Sequence, residues 1–212
     1  MSVYKIIASG SDGNSVLYNS EILVDCGVSF ASLRPYLYQI KIILLTHEHG
    51  DHLNLNTLTR IAFERPTLRI GAGAFLSDKL KNFRNVDIYE IGKTYDYGSF
   101  SISPVQLYHD VPNFGYRIFK DNHKIFHATD TGHLAGISAK GYDLYAIEHS
   151  YDEDVINDII IEKSESGQFA YERGAVNSHL SEQQARQFIF DNAGGNYEVL
   201  RLHESKREYS KI

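Results

Sequence analysis

Short apolar runs separated by turn residues fill most of this chain. Residues 3–8 read as a strand. Ser9-Gly10-Ser11-Asp12-Gly13-Asn14-Ser15 carries turn chemistry. Residues 16–18 and 22–24 read as the arms of a hairpin across Asn19-Ser20-Glu21. Residues 42–45 are continuously apolar, the mark of a strand buried on both faces. Helical spacing follows over 53–64 (Leu55, Leu58, Ile61, Ala62), with Pro66 marking its end. A short strand at 68–70 and a helix at 72–83 come next. From 86 to 126 the pattern turns β-rich, with strands at 88–91, 100–107, 116–119 and 124–126, and 144–147 is a further short apolar strand. Residues 151–175, acidic and then Gly/Ser-containing, read as a helix plus a loop. Ser181 and Gln184 form a capping-box pattern opening a helix to about residue 191, stopped by Gly194-Gly195. A last strand covers 197–202, and the charged tail 204–212 is expected to fray. Interleaved elements with strands in the majority predict a layered α/β fold, two packed sheets with helices outside. No low-complexity linker, composition break or short tandem repeat interrupts the pattern, so a single domain over 1–212 is expected.

Composition narrows the function classes. Hydrophobic residues make up 42% and charged residues 23%, which excludes a wholly disordered chain. Twenty-one Lys and Arg against 27 Asp and Glu give a formal charge of −6, the wrong sign for a protein that grips nucleic acid mainly by bulk positive charge. One cysteine, Cys26, excludes both an intrachain disulfide framework and a Cys-rich zinc site. The first residues lack the apolar core of a signal peptide, and the apolar runs are far short of a membrane span. A soluble, cytoplasmic protein without membrane association is expected. Ten histidines are many for this length, and they point to chemistry.

Their sharpest concentration is Thr46-His47-Glu48-His49-Gly50-Asp51-His52, directly after the buried strand. Neutral imidazole and carboxylate suit zinc and related divalent ions. In an extended stretch His47 and His49 point the same way, and Asp51 and His52, at the start of the following helix, can serve a second ion. Glu48 is expected to point away from the ions.

This H-x-H-x-D-H pattern resembles the hallmark of the metallo-β-lactamase superfamily, whose fold is an αββα sandwich of two mixed β-sheets with helices on both outer faces. The resemblance implies a third His for one ion, a bridging Asp and a last His for the other, each at a strand end. His109 follows the strand 100–107, Asp130 the strand 124–126 and His203 the strand 197–202. By similarity His47, His49 and His109 hold one ion, Asp51, His52 and His203 hold the other, and Asp130 bridges. The cofactors implied are two divalent ions, Zn²⁺ with Mn²⁺ or Fe as alternatives. Two such ions, two aspartates and a bridging hydroxide sum to about +1, so an anionic substrate is compatible with the acidic chain.

Further motifs are similar to the bacterial exonuclease branch typified by YycJ/WalJ, on the RNase Z-like phosphodiesterase side of the superfamily. They are the Ser9 to Ser15 turn, Leu23-Val24-Asp25-Cys26-Gly27, His109-Asp110 with Gly115-Tyr116, Ala128-Thr129-Asp130-Thr131-Gly132, Ile147-Glu148-His149-Ser150 and Ser178-His179-Leu180-Ser181. The long insertions of β-CASP nucleases are absent, and Asn177-Ser178 stands where that branch has a glycine-rich lead into H-L-S. The resemblance implies a metal-dependent hydrolase cleaving phosphodiester bonds in DNA or RNA, with nucleic acid as its partner. It marks Asp51 and His179 as catalytic, His179 assisting the leaving oxygen. Hydrolysis of a lactone, ester or thioester on the same metals is the alternative. Asp25 is a candidate to orient a metal-binding histidine, or simply a turn carboxylate. Cys26 reads as a small buried residue, and His123, His127, His133 and His149 as ordinary histidines, with His127 held in reserve. Lys206, Arg207 and Lys211 read as a charged tail, with phosphate binding as the alternative. Oligomeric state stays open, a homodimer being one option.

Overall fold

The computed structural model describes residues 3–204, so Lys206, Arg207, Lys211 and the rest of the tail from residue 205 lie outside the described residues. The chain divides into two compact units, the first ending at Lys93 and the second beginning at Thr94. Each is built on a six-stranded mixed sheet with its own helices.

The sheet of the first unit runs β1 (Tyr4–Ala8), β2 (Ser15–Tyr18), β3 (Ile22–Val24), β4 (Ile42–Leu44), β5 (Arg69–Gly73) and β6 (Val86–Tyr89), in that spatial order. β1 to β3 pair antiparallel and β3 to β6 parallel. The hairpin turn is made by Asn19 and Ser20, both in left-handed backbone. Every residue of β3 and β4 is buried, as continuous apolar runs require. Three helices follow the strands: α1 (Phe30–Leu33), α2 (Leu55–Glu64) and α3 (Ser77–Leu80). Asn54 caps α2 by accepting from Thr57 N at 3.1 Å, which is why the helix opens two residues later than the apolar spacing suggests. Leu58 and Ile61 then face a core that includes Ile43 and Ile70. Each such side chain contributes roughly 1.5–3 kcal/mol on burial.

The expected helix at 72–83 is corrected. Its first two residues belong to β5, a 3₁₀ turn covers Ala74–Leu76, and only Ser77–Leu80 is α-helical. Ala72, Leu76 and Leu80 are all buried at a spacing of four, which mimics a helical face. Pairing of Ala72 with Ile88 and Gly73 with Tyr89 overrides that spacing and draws β6 two residues earlier than expected.

The sheet of the second unit runs β12 (Glu198–Leu202), β11 (Leu144–Glu148), β10 (His123–Ala128), β9 (Pro112–Lys120), β8 (Ser101–Tyr108) and β7 (Tyr95–Asp96). β7 to β10 are antiparallel, and β10, β11 and β12 are parallel. β9 is longer than the apolar pattern suggests and opens on a proline, tolerated at a strand's first residue. Residues 151–175 contain a helix as expected, α4 (Glu153–Glu165), and the loop after it leads into a second helix, α5 (Glu172–Ser178). Lys163 Nζ, 2.5 Å from the buried Glu172 carboxylate, ties the two together. The capping box is formed as read. Ser181 Oγ accepts from Gln184 N and Gln184 Oε1 from Ser181 N, both at 3.0 Å, opening α6 (Glu182–Asn192). Phe188 and Ile189 of α6 pack on Phe126, Tyr145 and Ile147 of the sheet. No helix among the described residues is long and apolar enough to cross a membrane.

Candidate metal centre

In the first unit the site grows out of the end of β4. Thr46 gives both its donors to one carboxylate: its N–H reaches Asp25 Oδ1 and its hydroxyl Asp25 Oδ2, each at 2.8 Å. Asp25 is buried directly past β3, in left-handed backbone at φ 60°. Its Oδ2 also accepts from His52 Nδ1 at 2.7 Å. That bond places the proton on Nδ1 and makes Nε2 the acceptor nitrogen of the ring, the tautomer a metal ligand needs. Burial pushes the Asp25 carboxyl above its usual range, and the neighbouring His52 opposes this. Asp25 thus orients a predicted metal-binding histidine.

The glycine-rich turn explains itself at Asn14. Its Oδ1 accepts from Gly10 N at 2.8 Å, which turns Nδ2 toward His52 Nε2, 2.9 Å away, and toward Asp51. His47 Nε2 and His49 Nδ1 approach to 3.1 Å, and the His47 and His52 rings lie 4.2 Å apart. Asp51 and His52 occupy a turn before α2 rather than its first residues, because His52 N bonds back to His49 O. Glu48 points outward to Lys79, 3.2 Å from its Nζ, as expected. Gly27 holds this loop from behind, since a Cβ there would collide with the Asp51 carbonyl oxygen. Cys26 is fully buried, and burial followed by the Asp25 charge raises its thiol pKa, as befits a small core residue.

In the second unit the parallel register does the gathering. Ala128 lies beside Ile147 and Glu148 beside Leu202, so β10, β11 and β12 end at one level. Asp130, Glu148 and His203 are therefore neighbours, with His179 arriving from the C-terminal end of α5. Ligand atoms of these four lie within 4.8 Å of one another. Asp130 (φ 55°) and His203 (φ 51°) are left-handed like Asp25, each within two residues of a strand end. A sharp turn there costs on the order of 1 kcal/mol and redirects the side chain. His203 Nε2 and His179 Nδ1 each stand 3.4 Å from Asp130 Oδ1. His179 Nδ1 donates to Glu148 Oε1 at 2.6 Å, and its ring stacks on His203 at 5.0 Å. His109, just past β8, donates from Nδ1 to the Ser178 carbonyl at 2.9 Å, and its Nε2 stands 3.0 Å from Asp110 Oδ1. Asn113 Nδ2 clamps the Thr129 and Asp130 carbonyls at 2.9 and 2.6 Å.

The electrostatics of Glu148 and His179 are reciprocal. Burial opposes charge on Glu148, but hydrogen bonds from His179 and His203 outweigh it and hold the carboxyl below its usual range. Burial likewise disfavours the His179 cation, and the Glu148 bond outweighs that and raises its pKa. Glu148 was missed as a functional residue, although a carboxylate ending the buried run 144–147 was its signal. Asn14 and Asn113 were also missed. His123 is exposed at the first residue of β10, where Nδ1 approaches Asp121 O, and His133 is exposed and stacks on Tyr108. His149 is buried, with Nδ1 on Ile147 O, and His127 is buried within β10.

The donor set is one that divalent ions take. It consists of imidazoles whose second nitrogen is fixed by a carboxylate or carbonyl, beside buried carboxylates. A family model described as a beta-lactamase superfamily domain matches residues 20–189, and the chain belongs to that family. Its sheets and helices have the metallo-β-lactamase fold. The B. subtilis metallo-beta-lactamase fold protein YhfI superposes with a TM-score of 0.76 at 16% identity, covering 96% of this chain and 86% of that one. The short form of human tRNase Z does so at 0.68 and 18%, covering 96% and 93%. Exodeoxyribonuclease WalJ of Streptococcus pneumoniae is 32% identical over 182 residues, and exodeoxyribonuclease YycJ of Bacillus anthracis 26% over 173. Both matches take in 72% of this chain and 64% of the relative's length.

Proposed function

We propose that this protein is a metal-dependent phosphodiesterase acting on nucleic acid. The observation that carries the reading is the hydrogen bond between half-buried His179 and buried Glu148 beside Asp130: a histidine whose protonated form is favoured by a carboxylate, next to an aspartate that the resemblance assigns to the metals, is a device for protonating a leaving oxygen. The exonuclease names of its relatives agree with it. The family resemblance assigns His47, His49 and His109 to one divalent ion, Asp51, His52 and His203 to a second, and Asp130 to both, in a single working domain with Zn²⁺ as the first candidate. When bound, the ions supply an activated water and offset charge on the attacked phosphate. The chain's own residues do the rest. Asp25 and the Ser178 carbonyl orient His52 and His109, Asp51 completes the catalytic loop, and Glu148 fixes the His179 ring and holds its proton until the ester oxygen departs.

The test is a substrate panel with the metal-loaded protein: bis(p-nitrophenyl) phosphate, 5′- and 3′-labelled single- and double-stranded DNA and RNA, a lactone and a thioester. The reading expects cleavage of the phosphodiesters. Turnover of the lactone or thioester alone would sink it in favour of acyl hydrolysis at the same site.

A further inference from the structure

A chain with a net charge of −6 still needs somewhere to hold a polyanion. Charge along the sequence is uneven. Between residues 54 and 86 the only acidic residues are Glu64 and Asp78, against six arginines and lysines. This segment is α2, β5 and α3, and it encloses a cavity of about 530 Å³ in the first unit. The size lies within the range of ligand pockets, roughly 300–1,000 Å³. Its floor is apolar, formed by buried Leu58, Ile61 and Ile70. Arg65, Lys79 and Arg84 line it, and no carboxylate does. Phe63, 87% exposed, stands at its side.

An apolar trough with an exposed aromatic ring and cationic walls is what single-stranded nucleic acid binds: bases take the apolar and aromatic surface and phosphates take the cations. Lys79, one wall of the trough, meets Glu48, which lies between His47 and His49 on the metal-binding loop. We propose that the groove between α2 and α3 is a channel that holds a single strand of DNA or RNA away from the metals, gripping its backbone through Arg84 and Lys79 and stacking a base on Phe63. The inference rests on the nuclease reading above and adds where the strand lies.

The experiment uses the full metal-loaded chain, with Arg84→Glu and Phe63→Ala as variants at exposed positions and Lys81→Ala as a control cation that does not line the groove. Cleavage of a 5′-labelled single-stranded oligonucleotide is followed between about 50 and 200 mM salt. Bis(p-nitrophenyl) phosphate, which has no strand to lay in the groove, reports the chemistry alone. Arg84→Glu should raise the oligonucleotide KM about tenfold and lower the slope of log KM against log salt by roughly 0.7 for each phosphate left without its cation. Phe63→Ala should raise KM about fivefold or more. Lys81→Ala and the small diester should show changes within about twofold. Oligonucleotide KM and salt slope that stay at wild-type values in both groove variants would overturn the proposal. So would wild-type cleavage of the small diester with no cleavage of any oligonucleotide, which leaves the hydrolase reading standing. A wild type that cleaves neither overturns the nuclease reading and, with it, the channel.

Discussion

The two units place their candidate site residues by opposite means. In the first unit His47, His49, Asp51 and His52 sit on one loop, and the fold's task is to brace it. Asp25 grips Thr46 and His52 from below, and Gly27 admits the Asp51 backbone from behind. In the second unit no two site residues share a loop. His109, Asp130, Glu148, His179 and His203 come from five separate element ends, and the level endings of three parallel strands bring most of them together. A local motif depends on its support, whereas a dispersed set depends on register. Damage should therefore look different in each unit.

The largest effect is expected where support is backbone. Gly27→Ala drives a methyl group into the Asp51 carbonyl, so the loop must move as a whole. It should cost more than about 4 kcal/mol in chemical denaturation and abolish metal uptake. A variant with near-wild-type stability would break the idea that the loop is clamped. Its counterpart in the second unit is Gly132, where a Cβ would press on the Asn177 carbonyl, two residues before His179. Gly132→Ala should leave the first unit's loop intact while shifting the segment that carries His179.

Next come the orienting carboxylates. Asp25→Asn should weaken metal affinity by about 10–100-fold, measured by chelator competition, because His52 loses the acceptor that fixes its tautomer. Glu148→Gln acts on a proton. The Glu148 carboxylate raises the His179 pKa, so His179 keeps its proton to higher pH than a free histidine, and activity that needs the proton is lost as pH rises through that raised value. Removing the charge lowers the pKa, so the alkaline limb of the kcat/KM profile should move to lower pH. An unmoved limb would separate Glu148 from the proton step. The smallest effect is expected at Ser181→Ala, which removes the cap of α6 and should cost about 1 kcal/mol of stability with kcat little changed.

Legibility in the sequence followed the same division. The H-x-H-x-D-H loop, the buried run before it and the capping box at Ser181 are local, and the strand and the cap form at the residues read. His109, Asp130 and His203 were reached through family resemblance joined to their places after strands, an ordering that spacing alone does not supply. Glu148 was not singled out, because its meaning comes from lying beside Leu202 and across from His179, a matter of strand pairing rather than neighbours in sequence. The helix expected at 72–83 failed for a related reason: three buried residues spaced by four satisfy a helix, and β5 claimed the first of them through pairing with β6. Residues 151–175 hid α5 because its one buried side chain is charged, Glu172 held by Lys163, which leaves little apolar period to detect.

We infer that His179 is a proton donor held by Glu148 and is not needed to retain metal. The most direct measurement pairs metal content with kcat for His179→Ala on bis(p-nitrophenyl) phosphate. Metal stoichiometry should equal that of the wild type, and kcat should be lower by about 10²–10⁴-fold. Loss of metal from the variant, or a kcat within about threefold of the wild type with metal retained, would contradict it.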